Sequence, residues 1–306
     1  MKIYTITLNP AYDIHASTRT LSLGHENLAE ITSRDAGGKG VNISRALTYN
    51  GVENTALVVL GDENCTDFEN SLVADNITYI GIKKSGRIRE NLTVHTESGE
   101  TRISFRGFTL DNSVIEEISS EIRADSETIV TFTGSVPKGV DMTDIKLFLT
   151  SLKEKGAKIV IDSRSFTLSD LIEIKPWLIK PNSEEISEYS GNEISEFSDC
   201  LKIAKSLNRE GIENVMISLG GKGALLVTKN IVATATPPRV NVISTIGAGD
   251  STVAGFIAAF SDGSIPEECL RLAVSYGTAA CLLEGTTPPT PKAVAQIYQN
   301  TVIKKL

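Results

Sequence analysis

Positive charge is in short supply in this 306-residue chain: 30 Lys and Arg face 38 Asp and Glu, for a net charge of −8 at pH 7. No run of basic residues interrupts that balance, which argues against non-specific binding to nucleic acid or to an anionic membrane. An anionic ligand would need its positive charges placed locally. Cysteine is scarce as well. Cys65, Cys200, Cys269 and Cys281 stand far apart, with no Cys-x-x-Cys pair and no histidine cluster beside them, the pattern of thiols in a reducing cytosol. The three histidines, His15, His25 and His95, lack metal-ligand spacing. No apolar run approaches the length of a membrane span. The opening residues 2–8 are strand-like, too short and too polar for a signal peptide. Repeats, low-complexity tracts and Pro/Gly/Ser linkers are also missing. The expectation is a cytoplasmic protein whose 41% hydrophobic content supports one large domain, or one with a small appendage.

What is present alternates. Short β-rich runs at 3–8, 55–60, 128–133, 158–162, 177–180 and 214–219 are separated by amphipathic windows. Those windows include 41–50, 141–155, 196–210, 251–260 and 266–283. Strands alternating with helices imply parallel β-α-β units, and open sheets of that kind bind ligands at the carboxyl ends of their strands. Segments near 11–35 and 86–107 break the pattern. They carry strand character without helical periodicity, with Gly99 placed like a hairpin turn between residues 91–95 and 101–105. They are expected to form a small β-sheet, either a lid over a site or an extension without a role.

The most telling stretch is Ser244-Thr245-Ile246-Gly247-Ala248-Gly249-Asp250-Ser251, running into an apolar helix. A helix mouth offers unpaired N–H groups and a positive dipole end, so it stabilises anions. Small residues there let a phosphate approach the backbone. Asp250 could take a proton from a hydroxyl while the amides of Gly247, Ala248 and Gly249 hold the charge on a moving phosphoryl group. Taken alone, the same residues also read as a tight strand-to-helix turn. A second glycine-rich mouth, Gly37-Gly38-Lys39-Gly40-Val41-Asn42, is neither a Walker loop nor Gly-x-Gly-x-x-Gly; its amides suit hydroxyls or a phosphate, and Lys39 adds a point charge. Asp13 follows the first strand and Pro10. Arg89 and Asn91 share a face if 86–91 is a strand, with Arg106 across the hairpin. Lys180-Pro181-Asn182-Ser183-Glu184-Glu185 and Ser218-Leu219-Gly220-Gly221-Lys222-Gly223 follow later strands, where a nucleotide site would use such loops.

Together these elements resemble the ribokinase-like carbohydrate kinases of the PfkB family. The first family signature resembles residues Gly37 to Asn42 with Gly51 following. The second resembles Ser244 to Asp250, and Gly134-Ser135-Val136-Pro137 and Lys180-Pro181-Asn182 lie between them in the right order. The resemblance covers essentially the whole chain. It implies one ribokinase-like kinase domain over residues 1–306, with a three-layer α/β/α architecture, a mostly parallel central sheet and a β-lid. Residues 7–13, the Gly-Gly-Lys-Gly form of the first signature and Arg89-Glu90-Asn91 resemble the sugar-phosphate kinases of the family. Asn9 to Asp13 and Arg106-Gly107-Phe108 resemble most the subgroup acting on fructose 1-phosphate. One departure is Ile88-Arg89-Glu90-Asn91, where that subgroup usually reads Thr-Arg-Ile-Asn; a glutamate there is unhelpful to a phosphate unless it points away.

Carried over position by position, the resemblance makes Asp250 the base and Gly247, Ala248 and Gly249 the anion hole. Asp13, Gly37, Gly38 and Asn42 bind the sugar, and Lys39 and Arg89, with Asn91 and Ser135, bind its phosphate. Lys180, Asn182 and Glu185 flank the nucleotide phosphates and their magnesium, which reaches the protein through phosphates and water, with Glu185 nearest. Ser218, Gly220, Gly223 and Thr245 lie along the nucleotide. ATP and magnesium are the implied cofactors, with a monovalent cation an added option, and a homodimer through the lid is implied. The expected reaction is phosphorylation of D-fructose 1-phosphate to fructose 1,6-bisphosphate. Tagatose 6-phosphate and fructose 6-phosphate are alternative acceptors, and a non-catalytic sugar-phosphate or nucleotide sensor is a rival of another class.

Overall fold

The computed structural model describes residues 1–190 and 196–306. In chain order the first elements are β1 (Lys2–Thr7), β2 (Ala11–Ser17), β3 (Glu30–Gly37), α1 (Lys39–Tyr49), β4 (Thr55–Gly61), α2 (Cys65–Ala74), β5 (Tyr79–Lys84), β6 (Arg89–Thr96) and β7 (Gly99–Ile103). Then follow α3 (Ser113–Glu121), β8 (Thr128–Thr133), α4 (Met142–Glu154), β9 (Lys158–Asp162), α5 (Leu168–Ile174), β10 (Leu178–Ile179), α6 (Ser183–Ser190) and α7 (Phe197–Arg209). The chain closes with β11 (Asn214–Ser218), β12 (Ala224–Val227), β13 (Val232–Thr236), α8 (Ala248–Ser261), α9 (Pro266–Ala280), α10 (Pro291–Asn300) and β14 (Val302–Lys305).

Among the described residues these strands make two sheets. The larger has ten strands in the order β14-β13-β12-β11-β10-β9-β8-β1-β4-β5. It is parallel from β11 to β5 and antiparallel along β11, β12, β13 and β14. β8, with the sequence TIVTFT, is buried at every position, as a strand covered on both faces must be. One face carries Ile6, Val130, Phe132 and Ile161 against Ile115 of α3, Ile145 of α4 and Leu207 of α7. The other carries Ile3, Ile129, Val160 and Leu178 against Ile43 of α1, Phe256 of α8 and Leu270 of α9. Each such burial contributes about 1.5–3 kcal/mol. The result is the expected ribokinase-like α/β/α layering. No helix among the described residues is long and apolar enough to cross a membrane.

Helix starts follow local chemistry. Asp141 caps α4 by accepting from the Thr143 N–H, and Thr167 and Asp170 form a reciprocal capping box on α5. α8 is apolar nearly all round and buried from Asp250 to Ala259, which marks an interior helix. It begins at Ala248, three residues before the expected window, because Gly247 takes φ +74° at its N-cap. Ala248, Gly249 and Asp250 therefore belong to its first turn.

The strand-rich segments form the second sheet, in the order β3-β2-β6-β7. β6 and β7 are the expected hairpin, but β7 ends at Ile103. Beyond it, side chains replace the ladder: the Phe105 N–H donates to Asn91 Oδ1 and the Phe105 carbonyl accepts from Arg89. Sequence reading placed no strand at β5, β12, β13 or β14.

Candidate active site

A cavity of about 1310 Å³ lies between the two sheets, at the carboxyl ends of β1, β8, β9, β10 and β11. Its walls carry all but one of the site residues expected from sequence: Asp13, Gly38, Lys39, Asn42, Arg89, Asn91, Ser135, Lys180, Asn182, Glu185, Ser218, Gly220, Gly223, Thr245, Gly247, Ala248, Gly249 and Asp250. Gly37 is the exception. It closes β3, and a Cβ there would sit 2.5 Å from Asp13 Oδ2, so its missing side chain makes room for that carboxylate.

Two helix mouths meet in this cavity. The Asp250 carboxylate in the first turn of α8 accepts a 2.9 Å hydrogen bond from Asn42 Nδ2 in the first turn of α1. Arg45 orients that amide: its Nη1 donates to Asn42 Oδ1 at 3.2 Å, which leaves the amide N–H groups for Asp250. Arg45 is in turn fixed by Asp75 and by the Ala36 carbonyl. Burial pushes the Asp250 carboxyl up to about 6, against the pull of Lys39 and with a further push from Asp162. A base of that strength is ionised at neutral pH and still accepts a proton.

Asp162, at the end of β9, is the buried counter-charge of the cavity floor. It accepts from Lys39 Nζ at 3.1 Å and stands 3.6 Å from Lys180 Nζ. Burial opposes its charge, but Lys180 and Lys39 hold its carboxyl below the usual range. Burial likewise disfavours the Lys39 ammonium, and Asp162 and Asp250 overcome this and raise it. Lys180 Nζ lies 3.3 Å from where a Cβ of Gly249 would stand, so this ammonium rests against the mouth of α8.

The second sheet supplies the opposite wall. Asp13 Oδ1 accepts from Asn91 Nδ2 at 3.0 Å and from Arg102 Nη2 at 2.8 Å. Arg89 donates to the carbonyls of Phe105 and Asn9, and burial lowers its otherwise very high pKa. Asn9 Nδ2 donates to Ser135 Oγ at 2.8 Å, which ties this wall to the end of β8. Glu90, the departure noted in the sequence, pairs with Arg34 at 2.9 Å and does not line the cavity. Arg106 is exposed and outside the lining too.

At the far end, α6 opens on the cavity. Asn182 Oδ1 accepts from the Glu185 N–H, and Glu185 Oε2 accepts from the Asn182 N–H. Arg164 Nε donates to Glu185 Oε1 at 3.0 Å. Asp162, Arg164 and Arg102 line the cavity and were missed from sequence. The only signal was position, since Asp162 ends a strand, Arg164 stands just beyond it and Arg102 lies in the hairpin. Arg45 was missed because it acts through Asn42.

Residues 7–293 match the pfkB family carbohydrate kinases. The chain is 34% identical over 282 residues to the 1-phosphofructokinase of Haemophilus influenzae, covering 91% of this chain and 90% of that one. Its fold matches the phosphofructokinase-2 from Escherichia coli in complex with substrates and products, at TM-score 0.93 and 28% identity over 98% and 99% of the two chains. A potassium complex of that enzyme matches at TM-score 0.90 and 27% identity over 97% and 98%. With two glycine-rich helix mouths, a buried carboxylate between them and this likeness over nearly all its length, the chain belongs to the pfkB family of carbohydrate kinases, phosphotransferases with an alcohol group as acceptor.

Proposed function

We propose that this chain transfers the γ-phosphoryl group of ATP to D-fructose 1-phosphate. The observation that carries the reading is Asp250, buried in the first turn of α8 behind Gly247 and bonded to Asn42 of the facing helix. In the reaction the acceptor hydroxyl gives its proton to Asp250 and its oxygen bonds to the γ-phosphorus. The bond to the bridging β–γ oxygen breaks, and ADP leaves. The amides of Gly247, Ala248 and Gly249 hold the charge of the moving group. Such chemistry is mostly positioning and charge neutralisation.

Asp13, Gly38 and Asn42 bind the sugar. Lys39 and Arg89, with Asn91 and Ser135, take its phosphate; the 34% identical relative carries the name 1-phosphofructokinase, which supports this acceptor. Lys180, Asn182 and Glu185 flank the nucleotide phosphates, and Ser218, Gly220, Gly223 and Thr245 run along the nucleotide. Glu185 fits a magnesium ion carried on those phosphates: each oxygen has one protein donor, which leaves lone pairs for a metal-bound water. Bound there, magnesium supplies charge neutralisation of the triphosphate. The second sheet acts as a lid that keeps water from the phosphoryl group. Its face turned away from Asp13 exposes Ile31 and Ile103, and a second copy of the chain covers that face.

The test is ADP release from magnesium-ATP with fructose 1-phosphate, fructose 6-phosphate, tagatose 6-phosphate or free fructose, with and without potassium. Preference for fructose 1-phosphate is expected, and Asp250→Asn should lose about 10²–10⁴-fold in rate while staying folded. Preference for a 6-phosphate moves the acceptor assignment. Full turnover by Asp250→Asn refutes the mechanism, and silence on every acceptor favours a sensor.

A further inference from the structure

We propose that Arg102 is a specificity-determining residue, a guanidinium of the acceptor-phosphate site held in reserve by Asp13. The proposal rests on the sugar-phosphate kinase reading. Arg102 stands on β7 opposite Thr93 of β6, and its side chain lines the cavity on the same wall as Asp13 and Asn91.

Arg89 and Lys39, the two cations assigned to the acceptor phosphate, already hold protein partners. Arg89 spends one terminal nitrogen on the Phe105 carbonyl at 2.9 Å and the other on the Asn9 carbonyl at 3.2 Å, so its fork clamps two chain segments together. Its Nε is buried without a partner. Lys39 is tied to Asp162 at 3.1 Å. A phosphomonoester brings about −1.5 to −2 charges at neutral pH, more than Arg89 alone balances. Arg102 is 40% exposed, and Asp13 is its ion-pair partner among the described residues.

A guanidinium fork fits phosphate as well as carboxylate, so an arriving phosphate can take Arg102 from Asp13. Asp13 Oδ1 then loses one of its two side-chain donors, Arg102 and Asn91, and turns to the sugar hydroxyls. Recognition of the phosphate thereby readies the sugar site. An unphosphorylated ketose cannot make this exchange and meets an Asp13 still engaged. The pairing thus selects against sugars without a phosphate, beyond adding affinity for those that carry one.

The experiment compares wild type with Arg102→Gln on the sugar phosphate that wild type prefers and on free fructose at high concentration. The expected result is a 10–100-fold rise in KM for the sugar phosphate, with kcat and the KM for ATP nearly unchanged and kcat/KM for fructose equal or higher. Calorimetry of the same sugar phosphate binding to nucleotide-free protein should show the same loss, and Arg102→Lys should lie between. Equal losses on both acceptors would mean that Arg102 only steadies Asp13, and unchanged KM and binding would mean that it has no role; either overturns the proposal while leaving the kinase reading intact. If Arg102→Gln does not fold, Arg102→Lys is read by the same criteria. A wild type that binds none of the three sugar phosphates overturns the sugar-phosphate reading, and this proposal with it.

Discussion

Two buried aspartates of the cavity floor are driven in opposite directions. Asp162 has two ammonium partners and stays ionised, whereas burial raises Asp250, whose one hydrogen bond comes from a neutral amide and which Asp162 repels. Environments that push such groups apart are how one site assigns a base and a counter-charge. For Asp250 the folded value of about 6 exceeds the ordinary 3.8, so the folded chain holds that proton more tightly than the unfolded one. Its ionisation therefore costs nothing below the unfolded value, costs progressively more as pH rises towards 6, and is fully destabilising above that. Two units correspond to about 3 kcal/mol. Asp250→Asn, whose activity the proposed mechanism expects to be nearly lost, should be more stable than wild type by roughly 1–3 kcal/mol at pH 7.5. The gain should fade between pH 6 and pH 4 in urea unfolding series; a less stable variant at pH 7.5 would show that Asn42 and Lys39 outweigh burial.

Among elements, α8 and α9 make the tightest helix pair. Gly255 is the reason: a Cβ there would meet the Leu272 carbonyl oxygen at 2.7 Å and Ala273 Cα at 2.9 Å. Alanine favours an isolated helix by up to about 1 kcal/mol over glycine, but backbone atoms cannot yield as a side chain can, and overpacking costs about 1–3 kcal/mol. Gly255→Ala should lower the thermal midpoint by several degrees, and an unchanged midpoint would mean that the helices slide apart freely. The same logic explains what the sequence shows. Apolar runs such as TIVTFT announce buried parallel strands, and glycines at helix mouths announce close backbone approach. β14, reading VIKK and largely exposed, has no such signature; only its pairing with β13 makes it a strand. Asp162 and Arg102 likewise look like ordinary strand charges until Lys39, Lys180 and Asp13 arrive beside them from distant segments.

For the whole molecule, the lid proposal ties assembly to the site. The sheet face away from the cavity leaves Ile31 67% and Ile103 45% exposed, apolar area that a second copy would cover. Light scattering of the intact chain should give a dimer at micromolar concentration, and Ile31→Glu with Ile103→Glu a folded monomer; a monomeric wild type would refute the pairing. The facing helix mouths carry another consequence. Asn42 and Asp250 are 208 positions apart, and closing a loop of that size costs about 5 kcal/mol in chain entropy. Synthesis runs from the N-terminus, so a nascent chain makes Asn42 and the strands of the second sheet long before α8 exists. On the proposed mechanism the base and the anion hole lie in about the last fifth of the polypeptide, so the unfinished protein would have no means of spending ATP.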